Sequence, residues 1–194
     1  MTRPADILTD GTLIAVLAAG RASRFGADKL VQSCAGKPLG QWALDAALGT
    51  GLPVVWIAGG PPPDFVAVKV IRNARADQGM ATSVACAADY ARGMGVRRLL
   101  VMLADMPLVT TQHLQGLLAL PVPAAFDWRG KPGSPALFGA DLFAALAGLS
   151  GDRGAASVLR DDPAVRLFAV PAEVLRDVDS PDDLVLAEQA LSRG

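Results

Sequence analysis

The chain is poor in the residues from which most metal and redox centres are built. It has only two cysteines, Cys34 and Cys86, with no CxxC pair and no Cys/His ladder. Neither a disulfide framework nor a zinc site is expected, and both read as small half-buried residues. The single histidine, His113, excludes a multi-histidine metal centre. Charge of one sign is missing as well: 18 basic residues against 19 acidic ones leave a net charge of -1. Such a balance gives no general pull toward nucleic acid or an anionic membrane, so any phosphate recognition must be local. The longest apolar runs, such as Leu13 to Ala19, are too short to span a bilayer, and Met1 to Gly11 has no apolar core of signal-peptide type. These absences predict a soluble, cytoplasmic protein of a reducing compartment, with neither nucleic acid nor membrane as partner.

What is present fits one globular domain: 194 residues, 52% hydrophobic and 19% charged. Residues Met1 to Thr12 lack periodicity and read as an N-terminal tail, leaving a single domain over 13–194. From Leu13 onward, apolar runs of strand length alternate with stretches of helical period. Leu13 to Leu17, Val54 to Ala58, Val68 to Ile71 and Arg98 to Leu103 are the strands, and Gln41 to Leu48 and Ser83 to Ala91 are helical. Continuous apolar strands interleaved with helices predict an α/β fold whose largely parallel sheet is covered on both faces. After Leu103 the rhythm loosens. Ala124 to Trp128 and Pro135 to Phe138 read as strands joined by a turn over Arg129 to Gly133, a small antiparallel insertion. A last strand, Val165 to Val170, precedes a helix in which Ser180 can cap, Pro181 suits the first position and Asp182 and Asp183 favour the positive dipole end.

The loop after the first strand reads LAAGRASRFGADKL, Leu17 to Leu30. Small residues let backbone N–H groups approach phosphate oxygens, Gly20 and Gly26 permit positive φ, and Arg24 and Lys29 supply neutralising charge. The same residues also suit an ordinary βα loop with solvated cations. Spacing excludes two familiar motifs. Gly20 and Gly26 enclose five residues where a Walker A loop needs four, and Ala22 and Phe25 stand where a dinucleotide fingerprint needs glycine. Asp105, in Ala104-Asp105-Met106-Pro107, follows an apolar strand, and strand carboxyl ends are where open α/β sheets bind ligands. A carboxylate there suits Mg²⁺ on a triphosphate, or simply a turn.

The loop string resembles the signature of the MobA-like nucleotidyltransferases, most closely the molybdenum cofactor cytidylyltransferases. LADMPLV around Asp105 is similar to that family's second motif, whose aspartate binds the metal. Asn73 to Val84, NARADQGMATSV, is similar to the segment that lies over the nucleotide: Gly79 and Met80 match, while Ala81 departs from a common glycine. Thr82 or Ser83 could cap the helix that follows, and capping or exposure accounts equally well for Asp77 and Ser83. Gly151 to Ala155 and Asp177 to Leu184 resemble the family's GDRGA and DxDTPEDL segments. Asp177 and Asp179, two apart on an extended segment, point the same way. The second metal position matches Asp179, and Asp177 reads as a solvated strand-end charge.

The resemblance implies a three-layer, mostly parallel Rossmann-like sheet of the nucleotide-diphospho-sugar transferase type. It also implies a reaction: a terminal phosphate of molybdopterin attacks the α-phosphorus of CTP, giving a dinucleotide and pyrophosphate, with Mg²⁺ as cofactor. A molybdoenzyme apoprotein is then a further partner. Asp105 and Asp179 would hold the metal, and Lys29 and Arg24 would offset developing charge. Leu17 would line the nucleotide site with Gly79, and the Ala18 to Gly20 amides would cradle phosphates and base. Guanylyltransferases of the family read Leu-Ala-Gly-Gly at Leu17 to Gly20, so the Ala19 methyl should favour cytosine over guanine. Alternatives are a GTP-dependent or sugar-phosphate transferase of the same fold and a non-catalytic chaperone for the cofactor. Ser134, in Lys131 to Pro135, replaces the family's usual His or Asn before the proline. His113 reads as a surface residue of a helix's first turn, Trp56 and Trp128 as packing, and Gly59 to Pro63 as a rigid turn.

Overall fold

The computed structural model of the chain describes residues 11–19 and 29–193. The first strand, β1 (Thr12–Leu17), is buried along its whole length. It leads through the short hairpin β2 (Ser33–Cys34) and β3 (Lys37–Pro38) into α1 (Leu39–Leu48), β4 (Val54–Ala58) and β5 (Lys69–Arg72). There follow α2 (Met80–Gly93), β6 (Arg98–Leu103), α3 (Thr111–Leu118), β7 (Ala124–Trp128), β8 (Lys131–Gly139), α4 (Phe143–Ala147), β9 (Arg166–Phe168) and α5 (Pro181–Leu191). Seven strands form one sheet in the order β5-β4-β1-β6-β8-β7-β9. All pairings within it are parallel except those of β8, which runs antiparallel to both β6 and β7. The α/β architecture predicted from the alternating pattern is therefore the observed one.

Alternation along β1 builds the three layers. Ile14 and Val16 pack with Trp56 against Ala43 and Ala47 of α1 and Leu114 and Leu117 of α3. Leu13, Ala15 and Leu17 point the other way, against Ala87 and Ala91 of α2 and Phe143 and Leu146 of α4. Burying each large aliphatic side chain is worth about 1.5–3 kcal/mol, so a one-residue slip of β1 would misplace both sets at once. A third cluster, Cys34, Leu39, Val178 and Ala187, docks α5 on the β2–β3 hairpin.

Several boundaries differ from those read in the sequence. Thr12, assigned to the tail, is the first residue of β1: it pairs with Arg98 and its hydroxyl accepts a 2.8 Å bond from Arg98 Nε. The turn between β7 and β8 shrinks to Arg129 and Gly130, whose φ angles of 53° and 79° suit a two-residue hairpin. β8 accordingly begins at Lys131. It absorbs Pro135 where the register jumps between Ala125↔Ala136 and Phe126↔Gly133, an irregularity where a missing N–H costs no ladder bond. The last helix begins as predicted, with Ser180 and Asp183 in a reciprocal capping box and Pro181 in its first turn. Among the described residues, no helix is long and apolar enough to cross a membrane.

Candidate active site

The carboxyl ends of β1 and β6 lie side by side, Leu17 opposite Leu103. A 3.0 Å bond from Ala104 N to Leu17 O holds the two chains together as they leave the sheet. Beyond that edge opens a cavity of about 560 Å³ whose floor is formed by Leu17, Ala18, Ala19, Leu103 and Ala104. Lys29, Gly79, Asp105 and Asp179, all singled out by sequence, line it too. Gly20 and Arg24 lie outside the described residues. One expectation is corrected: the Ala18 N–H donates to Ile57 O at 2.9 Å, so it extends the sheet and is not offered to phosphate.

The wall opposite the strands is the 73–80 segment, and buried Asn73 shapes it. Its side-chain amide donates to Thr82 Oγ1 and Ser83 Oγ, both at 2.9 Å, and its Oδ1 accepts from Arg75 N at 2.9 Å. Its own N–H donates to Ala58 O, tying the end of β4 to the start of α2. The sequence reading of Thr82 or Ser83 as the cap is thereby corrected. Helix α2 starts earlier, at Met80, and both hydroxyls sit in its first turn as partners of Asn73. Gly79, at φ 107°, is required where it stands. A Cβ there would come within 2.6 Å of Gly151 O and 2.7 Å of Asp152 Oδ1. The Gly151 carbonyl also accepts from Ala81 N at 3.1 Å, which brings the 151–154 loop onto the helix start and Asp152 into the cavity lining.

The third wall comes from the far end of the sequence. Val178 N donates to Asp105 O at 2.9 Å and the Val178 side chain is buried, so the extended segment presents Asp177 and Asp179 to the cavity. Asp105, Asp177 and Asp179 each offer a carboxylate oxygen within 4.8 Å of the others. Lys29, only 8% exposed, closes this group. Its Nζ lies 2.7 Å from Asp105 Oδ2 and 2.9 Å from both Asp179 Oδ1 and the Val178 carbonyl. Burial alone would lower the lysine's pKa. The Asp105 charge, its hydrogen bond and those of Asp179 more than reverse that, and the ammonium is held above its ordinary value. Asp177 is pushed upward, by partial desolvation first and then by the charges of Asp105 and Asp179. Asp177 is exposed, as a solvated charge should be, and it also lines the cavity beside Asp179. The spacing of two from Asp179 was the available signal, whereas the Val178–Asp105 bond that turns both inward was not.

The donor set suits a hard divalent cation. It is all oxygen, it carries three negative charges against one positive, and Asp105 Oδ1 is buried without a hydrogen-bond partner among the described residues. Among the described residues, neither a cysteine nor a histidine lines the cavity. Burial, reinforced by Glu188, pushes the Cys34 thiol up to about 11, and Cys86 is likewise raised, chiefly by burial. His113 completes a capping box with Thr110 at the start of α3, its pKa lowered by burial. Trp56 is 1% exposed and packs edge-on against Phe65, as expected for core, whereas Trp128 is 44% exposed at the hairpin end. A second cavity of about 250 Å³ shares Leu17, Met80 and Leu103 with the first and is lined further by Ser134, Ser157 and Arg160.

Comparison with known proteins gives the chain a family and relatives of the same fold. A family model described as the MobA-like NTP transferase domain matches residues 14–167. The purine catabolism protein PucB of Bacillus subtilis (strain 168) is 29% identical over 197 residues, covering 91% of this chain and 95% of its own. Rv0371c of Mycobacterium tuberculosis, solved in complex with manganese, superposes with a TM-score of 0.71 at 22% identity over 92% of this chain and 98% of its own. Molybdopterin-guanine dinucleotide biosynthesis protein A from Archaeoglobus fulgidus gives a TM-score of 0.66 at 19% identity, over 94% of this chain and all (100%) of its own. At these identities the two structures share the fold.

Proposed function

The chain belongs to the MobA-like NTP transferase domain family, and from that premise we propose that it transfers a cytidylyl group from CTP to molybdopterin, releasing pyrophosphate. The observation that carries the reading is the joining of three carboxylates and a buried lysine to a 560 Å³ cavity at the carboxyl edge of β1 and β6. A triphosphate at that edge lies against Asp105, Asp177 and Asp179, which would hold the divalent ion. Such an ion, Mg²⁺ or the Mn²⁺ found with Rv0371c, supplies charge neutralisation across the phosphates. Lys29, in the same wall, offsets charge building on the α-phosphate and the departing pyrophosphate, a role the family resemblance also gives to Arg24. Gly79 lets the 76–80 backbone close over the nucleotide. The adjoining cavity with Ser134, Ser157 and Arg160 takes the acceptor, whose own anionic phosphate is the attacking group. No covalent intermediate is needed, and catalysis rests on positioning and charge.

Ala19 supports the choice of base. It lines the cavity, and a methyl there would take space that the larger guanine needs. One methyl is worth about 1–3 kcal/mol of discrimination, so CTP should be favoured by a finite ratio. The test is pyrophosphate release from each of the four nucleoside triphosphates with molybdopterin, for the wild type and Ala19→Gly. CTP should give the highest kcat/KM, with the GTP gap narrowed in the variant. A wild-type preference for GTP would overturn the cytidylyl assignment. Molybdopterin binding without turnover of any nucleotide would favour a carrier role.

A further inference from the structure

We propose that Lys29 serves as a resident cation of the carboxylate cluster, so that a divalent ion is taken up as its nucleotide complex and not ahead of the nucleotide. The inference rests on the nucleotidyltransferase reading and concerns the same site. Its starting point is how the lysine is held. Lys29 begins a short 3-10 turn whose next residue, Leu30, is anchored in the main core, so the side chain is directed inward from a fixed backbone. The ammonium meets three oxygens at 2.7–2.9 Å: one of Asp105, one of Asp179 and the carbonyl of Val178. Three acceptors for three N–H donors complete its hydrogen bonding, which is the arrangement of a bound ion.

The two oxygens of Asp105 then differ. Oδ2 belongs to Lys29, and Oδ1 is buried with no partner among the described residues. A dication reaching Oδ1 at a coordination distance of about 2.1 Å would stand only a few ångströms from the ammonium. In a partly desolvated site that repulsion is barely screened. Three carboxylates only just balance one lysine and a dication, and Lys29 already holds one oxygen each of Asp105 and Asp179, so the bare ion competes with the ammonium at close range with no charge to spare. The phosphates of a nucleoside triphosphate relieve that competition. They bring further negative charge with the ion and give the lysine a second set of oxygens. Metal and nucleotide are coupled through one side chain, and the coupling is reciprocal.

The experiment is Mn²⁺ binding to the full chain, followed by electron paramagnetic resonance of the free ion, for the wild type, Lys29→Gln and Lys29→Arg. The glutamine amide still donates to the same carboxylates without charge, and arginine keeps the charge. Lys29→Gln should bind Mn²⁺ alone roughly tenfold tighter than the wild type, a size expected from removing one unit charge at short range. Its affinity for the Mn²⁺–CTP complex, measured by calorimetry, should stay level or fall. Lys29→Arg should remain near the wild type for Mn²⁺ alone. A purely structural lysine would shift melting temperature without tightening the bare ion, so unchanged or weaker Mn²⁺ binding by Lys29→Gln overturns the proposal. Should Lys29→Gln not fold, Lys29→Met carries the same expectation. Failure of the wild type to bind any nucleoside triphosphate would instead overturn the functional reading, while the Mn²⁺ comparison still decides the role of Lys29.

Discussion

Asp105 divides its carboxylate between two environments: Oδ2 pairs with Lys29 Nζ at 2.7 Å, and Oδ1 is buried with no partner among the described residues. An oxygen in that state costs free energy unless something arrives to use it, and it marks where the molecule gives up stability for binding.

Asp105→Asn should therefore abolish metal-dependent turnover, by roughly 100-fold or more, because it removes charge directed at the transition state. The fold should survive, since the asparagine oxygen still accepts from Lys29 and the lysine keeps Asp179 and Val178 O. Pyrophosphate release and near-ultraviolet circular dichroism check the two halves. Near-normal turnover in a folded variant would remove Asp105 from the mechanism.

Asp177→Asn should separate stability from binding. The folded protein raises the Asp177 pKa, so ionisation of this group works against the native state at neutral pH. The variant should melt at a higher temperature than the wild type in EDTA at pH 7. That gain should vanish as pH falls through the raised folded value and the wild-type carboxyl becomes protonated. Mn²⁺–nucleotide affinity should drop at the same time. A variant that is less stable in EDTA would contradict the crowding of charge inferred for the cluster.

Most strand limits could be read because they depend on local composition. Val54 to Ala58, Arg98 to Leu103 and Ala124 to Trp128 are bounded apolar runs, and β4, β6 and β7 begin and end with them. Helix α2 was read three residues late, since Met80 to Thr82 carry no apolar period and owe their helical start to Asn73 and the Gly151 carbonyl. In the site, Asp105 was visible as the residue beyond a buried strand. The inward turn of Asp177 and the burial of Lys29 were not, because both depend on a segment distant in sequence crossing the end of β6.

Asn73→Ala should cost about 3 kcal/mol, from three side-chain hydrogen bonds at roughly 1 kcal/mol each. Because Asn73 shapes the 73–80 wall without lining the cavity, KM for the nucleotide should rise more than kcat falls. Urea denaturation and steady-state kinetics test both parts. An unchanged midpoint would show that the Thr82 and Ser83 hydroxyls find other partners.

Helix α5 supplies a pH dependence of opposite sign. The Ser180 hydroxyl, then the backbone N–H groups of Asp179 and Ser180, hold the Asp183 carboxyl below its ordinary value. Its stabilisation is present in full above the ordinary aspartate value of about 3.9 and disappears as pH falls through the lower folded one. Asp183→Asn should thus lower the melting temperature at neutral pH and match the wild type in acid. Ser180→Ala should cost about 1 kcal/mol. Equal melting temperatures at neutral pH would exclude the capping box as a stabilising element.

Lys29 and two of the three oxygens that hold it are separated by 149 and 150 positions, whereas the last sheet strand, β9, closes at Phe168. A nascent chain emerging from the ribosome can therefore register all seven strands while its ammonium faces Asp105 alone. The phosphate-handling apparatus assembles only when the residues around Asp177 to Asp179 arrive, after the last sheet strand. A polypeptide released before that point would retain the sheet's pattern and lack the chemistry. Cleavage between Phe168 and Asp177 would likewise inactivate the protein without dismantling its layers.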